Sequence, residues 1–362
     1  MQIRTSIFQF HTAFLIILSS TFFLHAQEKY FYTGKNYGSE SLYNPLYFII
    51  NSGYDVTQLE EFSKDISSYP YKFASRQIFR QLSSPFGIIS RYGWKKFLAH
   101  QVVPFNKLRQ NSQWWPNYQL HLIGGGMEYA RMKEWYEYYS IPMPALASGI
   151  TMAAGHLLNE IVESGWHSGD DVDAIADIYV FDLGGIILFS FDPIKEYFSR
   201  TLNLADWSLQ PSFSVVNGTL QNTGQFFSIK WKPESWEHWQ IFYYFGLNGI
   251  VGPSYRFENN SSLSFGIGMR SKNREIIDTT RNQQTVNLTW NAGLFYDSNN
   301  SLLASLTVSG LNTNLISLNI YPGILSTETF ATGFWIILDN RLNPSIGITT
   351  RYAPGLAVTS RK

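Results

Sequence analysis

The feature that most constrains the fold is a two-residue alternation of apolar and small side chains through the C-terminal half of the chain. In the segment LSFGIGMR, the apolar residues fall on one face: Leu263, Phe265, Ile267 and Met269. The segments NLTWNAGLFY, SLLASLTVS, LISLNIY, FATGFWIIL and SIGITTRY repeat the pattern. This period is typical of β-strands, and the Asn- and Gly-rich turns FENNSS, YDSNNS and GLNTN are typical of hairpins. We therefore expect residues 204–362 to form an antiparallel sheet.

Two kinds of sheet produce this alternation. In a soluble sandwich the apolar face points inward, whereas in an outer-membrane barrel it faces lipid and small or polar residues line the lumen. Here the second face is rich in Gly, Ser, Thr and Asn, and only 15% of the whole chain is charged while 17% is aromatic. Because water-facing strands usually carry more charge, the pattern favours a barrel of about 8–10 strands, with the sandwich as the alternative.

The first 26 residues have the pattern of a secretory signal peptide. Arg4 provides a positive charge, AFLIILSSTFFL is a short apolar core, and LHAQ offers cleavage after Ala26. This core is shorter than the roughly 20 residues that a membrane-spanning helix needs. We therefore expect the chain to be exported and the signal to be removed.

Cysteine content and charge exclude several classes of function. The chain has no cysteine, which rules out disulfides, thiolate metal sites, thiol catalysis and a lipoprotein acyl anchor. Its formal net charge is zero, so the chain lacks the excess of basic residues that is typical of proteins that bind nucleic acid. Residues 27–203 read mostly as helices, punctuated by Pro142 and Pro144 and by the break SGWHSGDD. The predicted class is α+β, with an N-terminal helical domain followed by the C-terminal barrel.

The helical half contains a concentration of polar residues in GHLLNEIVESGWHSGDDVDAIAD. At about 100° per residue, one helix face within this segment carries His156, Asn159, Glu160 and Glu163. Asp173 and Asp177 lie one turn apart on the next helix, and His121 begins HLIGGG, whose glycines allow close backbone approach. We expect these two stripes to face each other, with His121 approaching from a third helix.

The cluster has a functional and a structural interpretation. In the first, His156, Glu160 and Asp177 are catalytic, because a carboxylate one turn from a histidine can orient it as a general base. Two histidines and several carboxylates can also bind a divalent metal, whose identity the sequence leaves open. In the second, the same groups form a buried hydrogen-bond network that fixes the register of packed helices. The sequence favours the second interpretation, and His121, Asn159, Glu163 and Asp173 are assigned as ligand-binding or structural positions.

The stretch GHLLNEIVESGWHSGDDVDAIADIYVFDLGG resembles a loose pattern in bacterial envelope proteins. It is similar to small uncharacterised YfiM-like lipoproteins and, more distantly, to VanZ-like membrane proteins. The matching positions are the pair Glu160 and Glu163, the pair Asp173 and Asp177, Gly184 or Gly185, and His121 with Gly124 and Gly125. The similarity covers residues 115–190, and this chain lacks the lipoprotein cysteine and adds the β half. The resemblance implies an envelope location more than a reaction.

Together these observations predict an envelope protein associated with the outer membrane, with a structural or ligand-binding role and outer-membrane lipid as its partner. A non-enzymatic role is favoured. One alternative is an envelope hydrolase or metal-dependent enzyme that uses the His/Glu/Asp cluster. Another is a channel whose lumen is plugged by the helices.

Overall fold

Helices occupy the first half of the chain and strands the second. The computed structural model describes residues 28–103, 114–165, 169, 171–278, 283–324, 332–351 and 353–360, so the predicted signal segment 1–26 lies outside them. The last helical turn ends at Thr201 and the first strand begins at Ala205. The predicted α+β class is confirmed.

Short helices dominate the first half. The α-helices of the described residues are α1 Gly38–Leu42, α2 Pro45–Gly53, α3 Tyr71–Ser83, α4 Pro85–Tyr92, α5 Trp94–Phe97, α6 Trp114–Pro116, α7 Gly126–Tyr138, α8 Pro144–Ser164, α9 Asp173–Ala176, α10 Leu183–Leu188 and α11 Asp192–Glu196. Four wider, π-helical segments continue some of them: π1 Leu98–Val102, π2 Asn117–Gly125, π3 Asp177–Asp182 and π4 Tyr197–Thr201. Two 3₁₀ turns are Asp55–Gln58 and Ile66–Ser68.

No single helix in the described ranges is long and apolar enough to cross a membrane. The consecutive helical runs Asp173–Leu188 and Asp192–Thr201 pass that test jointly by length and composition, but they meet at 89°.

The strands of the described residues form one sheet in the order β1-β4-β5-β6-β7-β8-β9-β10-β11-β12-β13-β2-β3. They are β1 Ala205–Asp206, β2 Ser212–Ser214, β3 Thr219–Gln221, β4 Phe227–Trp231, β5 Trp239–Phe245, β6 Asn248–Arg256, β7 Ser261–Asp278, β8 Gln283–Ser298, β9 Ser301–Ser309, β10 Ile316–Ile320, β11 Thr332–Leu338, β12 Pro344–Thr350 and β13 Ala353–Thr359. Neighbours are antiparallel except for β13 and β2. The described sheet has thirteen strands, more than the eight to ten predicted, because β1, β2 and β3 are too short to show an alternation.

The apolar face of these strands is the exposed one. Ile267 is 75% exposed, and Leu356 and Val358 are 65% and 68% exposed. On the opposite face, Ser264 of β7 and Asn291 of β8 are buried. This is the reverse of the packing of a soluble sandwich, in which the apolar residues are buried and the polar residues are exposed to water.

One segment, residues 205–214, reaches both ends of the sheet. Its β1 pairs with β4, and beyond it the Trp207 N–H donates to the Phe226 carbonyl at 2.8 Å. Its β2 pairs with β13, and the Gly355 N–H donates to the Pro211 carbonyl at 2.9 Å. The strand order nevertheless begins at β1 and ends at β3, without a pairing between those two strands.

The buried face of the sheet is filled by large side chains and a buried ion pair. Leu42 of α1 and Tyr47 of α2 pack there in one cluster with aromatic residues that include Trp207. The other members of that cluster are Phe226, Phe242, Tyr244, Ile250, Phe295, Leu302 and Tyr321. Nearby, Lys230 Nζ on β4 lies 2.7 Å from Asp297 Oδ1 on β8. The helices thus contribute directly to the core behind the strands.

Candidate functional site

A close crossing of two helices builds the polar cluster. π2 runs into α7, and π3 runs into α10, and the two runs touch at glycines. A Cβ atom added at Gly185 would lie 2.7 Å from the Leu122 carbonyl oxygen, and one at Gly126 would lie 2.8 Å from the Gly185 carbonyl oxygen. Because only glycine allows backbones to approach so closely, the segments HLIGGG and DLGG bring His121 and Asp182 together.

Asp182 is the centre of the cluster. Its Oδ1 lies 3.0 Å from Nδ1 of His121, and its Oδ2 lies 2.7 Å from Nδ1 of His156 on α8. The two imidazole rings meet edge to face, with centroids 5.2 Å apart. On the other side of its ring, His121 Nε2 lies 3.4 Å from Oδ2 of Asp177. Three helical runs therefore each supply a side chain to one compact group.

The cluster is buried but incompletely paired. The side chains of His156, Asp177 and Asp182 are almost inaccessible, whereas His121 keeps 19% of its side-chain surface exposed. Among the described residues, Asp177 Oδ1 and Asp173 Oδ1 are buried without a hydrogen-bond partner. Leaving a buried carboxylate oxygen unpaired is unfavourable, so the group differs from a fully satisfied structural network.

Opposite charges and burial move the pKa values in different directions. Although burial opposes ionisation, His156 and His121 hold the pKa of Asp182 at about 2. Burial also disfavours the imidazolium of His121, but Asp177 and Asp182 outweigh it and raise the pKa of His121 to about 10. Burial raises the pKa of Asp177 to about 7. Burial and the neighbouring Asp177 raise the pKa values of Glu160 and Asp173 well above the usual range.

Some of the positions assigned from the sequence lie in this group and others do not. His121, His156 and Asp177 come together, and the buried Glu160 and the partly buried Asp173 are close enough to Asp177 to interact with it electrostatically. The catalytic roles proposed for His156, Glu160 and Asp177 stay predictions.

Asn159 and Glu163 make their closest polar contacts outside this group. Asn159 Nδ2 donates to the Ser52 carbonyl at 2.9 Å, towards α2. Glu163 pairs with Arg274 on β7. Glu163 is seven residues beyond His156, or roughly 10 Å along the helix, so its ion pair lies outside the group, although it still acts electrostatically on Glu160, Asp173 and Asp177. A shared helix face thus does not imply a shared position along the axis. The assignment of Asn159 and Glu163 as ligand-binding or structural positions stays a prediction.

Asp182 is the residue that the sequence interpretation missed. An α-helical spacing of five residues turns two side chains about 140° apart, which separates Asp177 from Asp182. In the structure both aspartates contact His121, because they bound the wider π-helical turn π3. Such turns occur often at functional sites but have no reliable sequence signature. The available signal was a carboxylate inside the otherwise apolar run IYVFDLGG.

A second buried polar group joins the helices to the sheet. Arg131 on α7 forms an ion pair with Asp206 on β1, and its guanidinium stacks over the Tyr43 ring at 3.7 Å. The Tyr43 hydroxyl donates to Glu128 Oε2 at 2.7 Å. A cavity of about 70 Å³ borders Arg131 and Asp206 and has room for a few water molecules. This group connects α1, α7 and the start of the sheet.

Comparison of the chain with protein-family models, with curated proteins and with solved structures found no match. The fold and the site are therefore interpreted from their own geometry.

The helix crossing can be tested with two adjacent glycines. Gly185→Ala places a methyl group against backbone atoms of Leu122 and Gly126, which cannot easily move, so we expect a loss of about 1–3 kcal/mol in stability. Gly184→Ala is the matched control, because its methyl group meets only the end of the Leu122 side chain at 3.0 Å. It should be neutral or stabilise by about 0.5–1 kcal/mol, because alanine favours helices. Thermal unfolding followed by circular dichroism measures both, and equal effects would contradict the proposed contact.

Proposed function

We propose that the chain is an envelope protein of the outer membrane, in which the sheet closes into a lipid-facing barrel and the helices carry a buried polar site. The observation that supports this most directly is the exposed apolar face of the sheet. Strands β6, β7, β12 and β13 all present large apolar residues to the surroundings, while Ser, Asn and Thr occupy the buried face. Outward apolar and inward polar alternation is the pattern of a transmembrane barrel. In water, such a broad apolar surface would promote aggregation.

The path of residues 205–214 supports closure of the sheet. Because this one segment bonds to β4 at one end of the strand order and to β13 at the other, it keeps the two ends near each other. A closed barrel leaves no free strand edge, which a lipid environment requires because lipid cannot hydrogen-bond to exposed backbone groups. The proposed barrel therefore has its seam at this segment.

A passive channel fits the described residues less well. The buried face is occupied by Trp207, Phe242 and Phe295 and by the Lys230–Asp297 pair, all inaccessible to solvent. The helical residues in the aromatic cluster of this interior come from α1 and α2, and Gln58 of a 3₁₀ turn contacts the buried Arg270. π2 instead lies near Phe227 and Tyr243, which point to the other side of the sheet. We therefore propose a structural or ligand-binding role rather than conduction.

Fractionation and gel mobility test the proposal. The full chain, expressed with its own N-terminus, should be recovered with outer membranes and resist extraction by carbonate. It should also migrate differently on a detergent gel before and after boiling, as closed barrels do when they resist detergent unfolding. Recovery in the soluble periplasm, or identical mobility in both samples, would overturn it.

A further inference from the structure

We infer that His121, His156 and Asp182 form a binding site for one divalent first-row transition-metal ion, of the zinc class. One ring nitrogen of each histidine and one carboxylate oxygen of Asp182 all lie within 4.8 Å of one another. Ligands about 2.1 Å from a tetrahedral metal are separated by roughly 3.4 Å, so these atoms need only small shifts to surround an ion. Two imidazoles and a carboxylate are a common ligand set for such ions.

Charge balance supports a cation here. Four carboxyl groups surround two imidazoles: those of Asp177, Asp182 and Glu160 are buried, and that of Asp173 is partly buried. An imidazole that binds a metal is neutral, so the four carboxyl groups, when ionised, carry four negative charges that the two histidines do not offset. Buried net charge is unfavourable, and carboxylates collected in the interior are usually neutralised by protons, by basic residues or by a metal. A divalent ion offsets two of these charges.

The surroundings of His121 fit the arrangement of known metal ligands. A histidine that binds a metal through one nitrogen usually donates its other N–H to a carboxylate, which fixes the ring. His121 has Asp182 near Nδ1 and Asp177 near Nε2. Asp177 therefore acts as a positioning residue, which holds the Nε2 side of the His121 ring on the side away from Asp182. The partial exposure of His121 provides a route of entry.

Gly125 permits this arrangement. A Cβ atom there would lie 3.2 Å from Cε1 of His156 and 3.6 Å from Oδ1 of Asp182. A side chain at this position would fill the space beside the ligands. The glycine run after His121 thus serves the site as well as the helix crossing.

The test uses the folded full chain in detergent micelles, purified without a polyhistidine tag and stripped with a chelator. Titration calorimetry with Zn²⁺ should show one ion per chain with Kd below about 1 μM, and Co²⁺ should give the visible absorption of a site with nitrogen ligands. His156→Gln and Asp182→Asn should abolish both signals. Asp177→Asn should weaken binding by about 10–100-fold, as expected for a positioning residue.

Two controls keep the result interpretable. His238→Gln changes an exposed histidine in the β half and should leave affinity and stoichiometry unchanged. If His156→Gln fails to fold, His121→Gln, at the more exposed ligand, provides the same test. The inference is overturned if the folded chain binds no Zn²⁺ below about 100 μM, or if binding is the same in the ligand variants and in His238→Gln. None of these outcomes depends on the membrane in which the chain resides.

Discussion

Replacing Ile267 with Lys is expected to destabilise the folded protein in lipid by about 2–4 kcal/mol, the range measured for a cation at the midplane of a membrane barrel. Ile267 lies on β7 and is 75% exposed, more than any other apolar side chain that the structure describes in the central strands β4–β9. In a water-soluble protein the same change at such an exposed site would fall within about 0.5 kcal/mol. The size of the effect therefore distinguishes the two environments.

Denaturant unfolding in lipid vesicles measures this difference. Val216→Lys is the matched control, because Val216 is 83% exposed but lies in the turn between β2 and β3. That variant should unfold at the same denaturant concentration as the unmodified chain. If Ile267→Lys behaves like Val216→Lys, or makes the chain soluble without detergent, the apolar face does not contact lipid.

The second large effect is expected at the ion pair inside the sheet. Lys230→Met removes the charge while keeping the length of the side chain, and leaves Asp297 buried without its partner. Breaking a buried pair in this way costs about 3–5 kcal/mol. Asp297 retains only the backbone N–H of Asn300 as a donor to Oδ1, and its Oδ2 has no partner among the described residues.

Two further variants separate charge from packing. The double change Lys230→Met with Asp297→Leu should recover most of the loss, because no uncompensated charge remains. Arg200→Met breaks exposed pairs with Glu28 and Glu196 and should leave the stability nearly unchanged, because solvent screens exposed charges. The same denaturant series compares all three. A Lys230→Met variant as stable as Arg200→Met would show that water reaches Asp297.

The fold was predictable where one pattern repeats over many residues. The alternation in LSFGIGMR identified β7, including which side chains share a face, because the side chains of a strand alternate by geometry alone. The segment 205–214 was not predictable, since β1 and β2 are two and three residues long and their pairing depends on contacts distant in sequence. Strand count was underestimated for the same reason.

The site was predictable in part. The spacing of His121 from its glycines and of His156 within α8 placed both histidines on faces that meet. The carboxylate partner of His156 was not predictable. An α-helical spacing selects Glu160, whereas the π-helical segment π3 places Asp182 beside His156. The spacing of residues along a helix predicts the direction in which a side chain points. Whether a segment is α- or π-helical, and how far along the axis a side chain meets its neighbours, depends on packing against other elements.

The parallel pairing of β13 with β2 has a consequence for how the chain is assembled. Ser212 and Gly355 are partners, although the strands from β3 to β12 are synthesised between them. β2 can pair with β3 as soon as both are made, but its other side has no partner until β13 follows. Pairings so distant in sequence slow folding because the intervening loop must be closed first. Until β13 pairs with it, the free side of β2 is open to pairing with other chains, so this stage of folding carries a risk of aggregation.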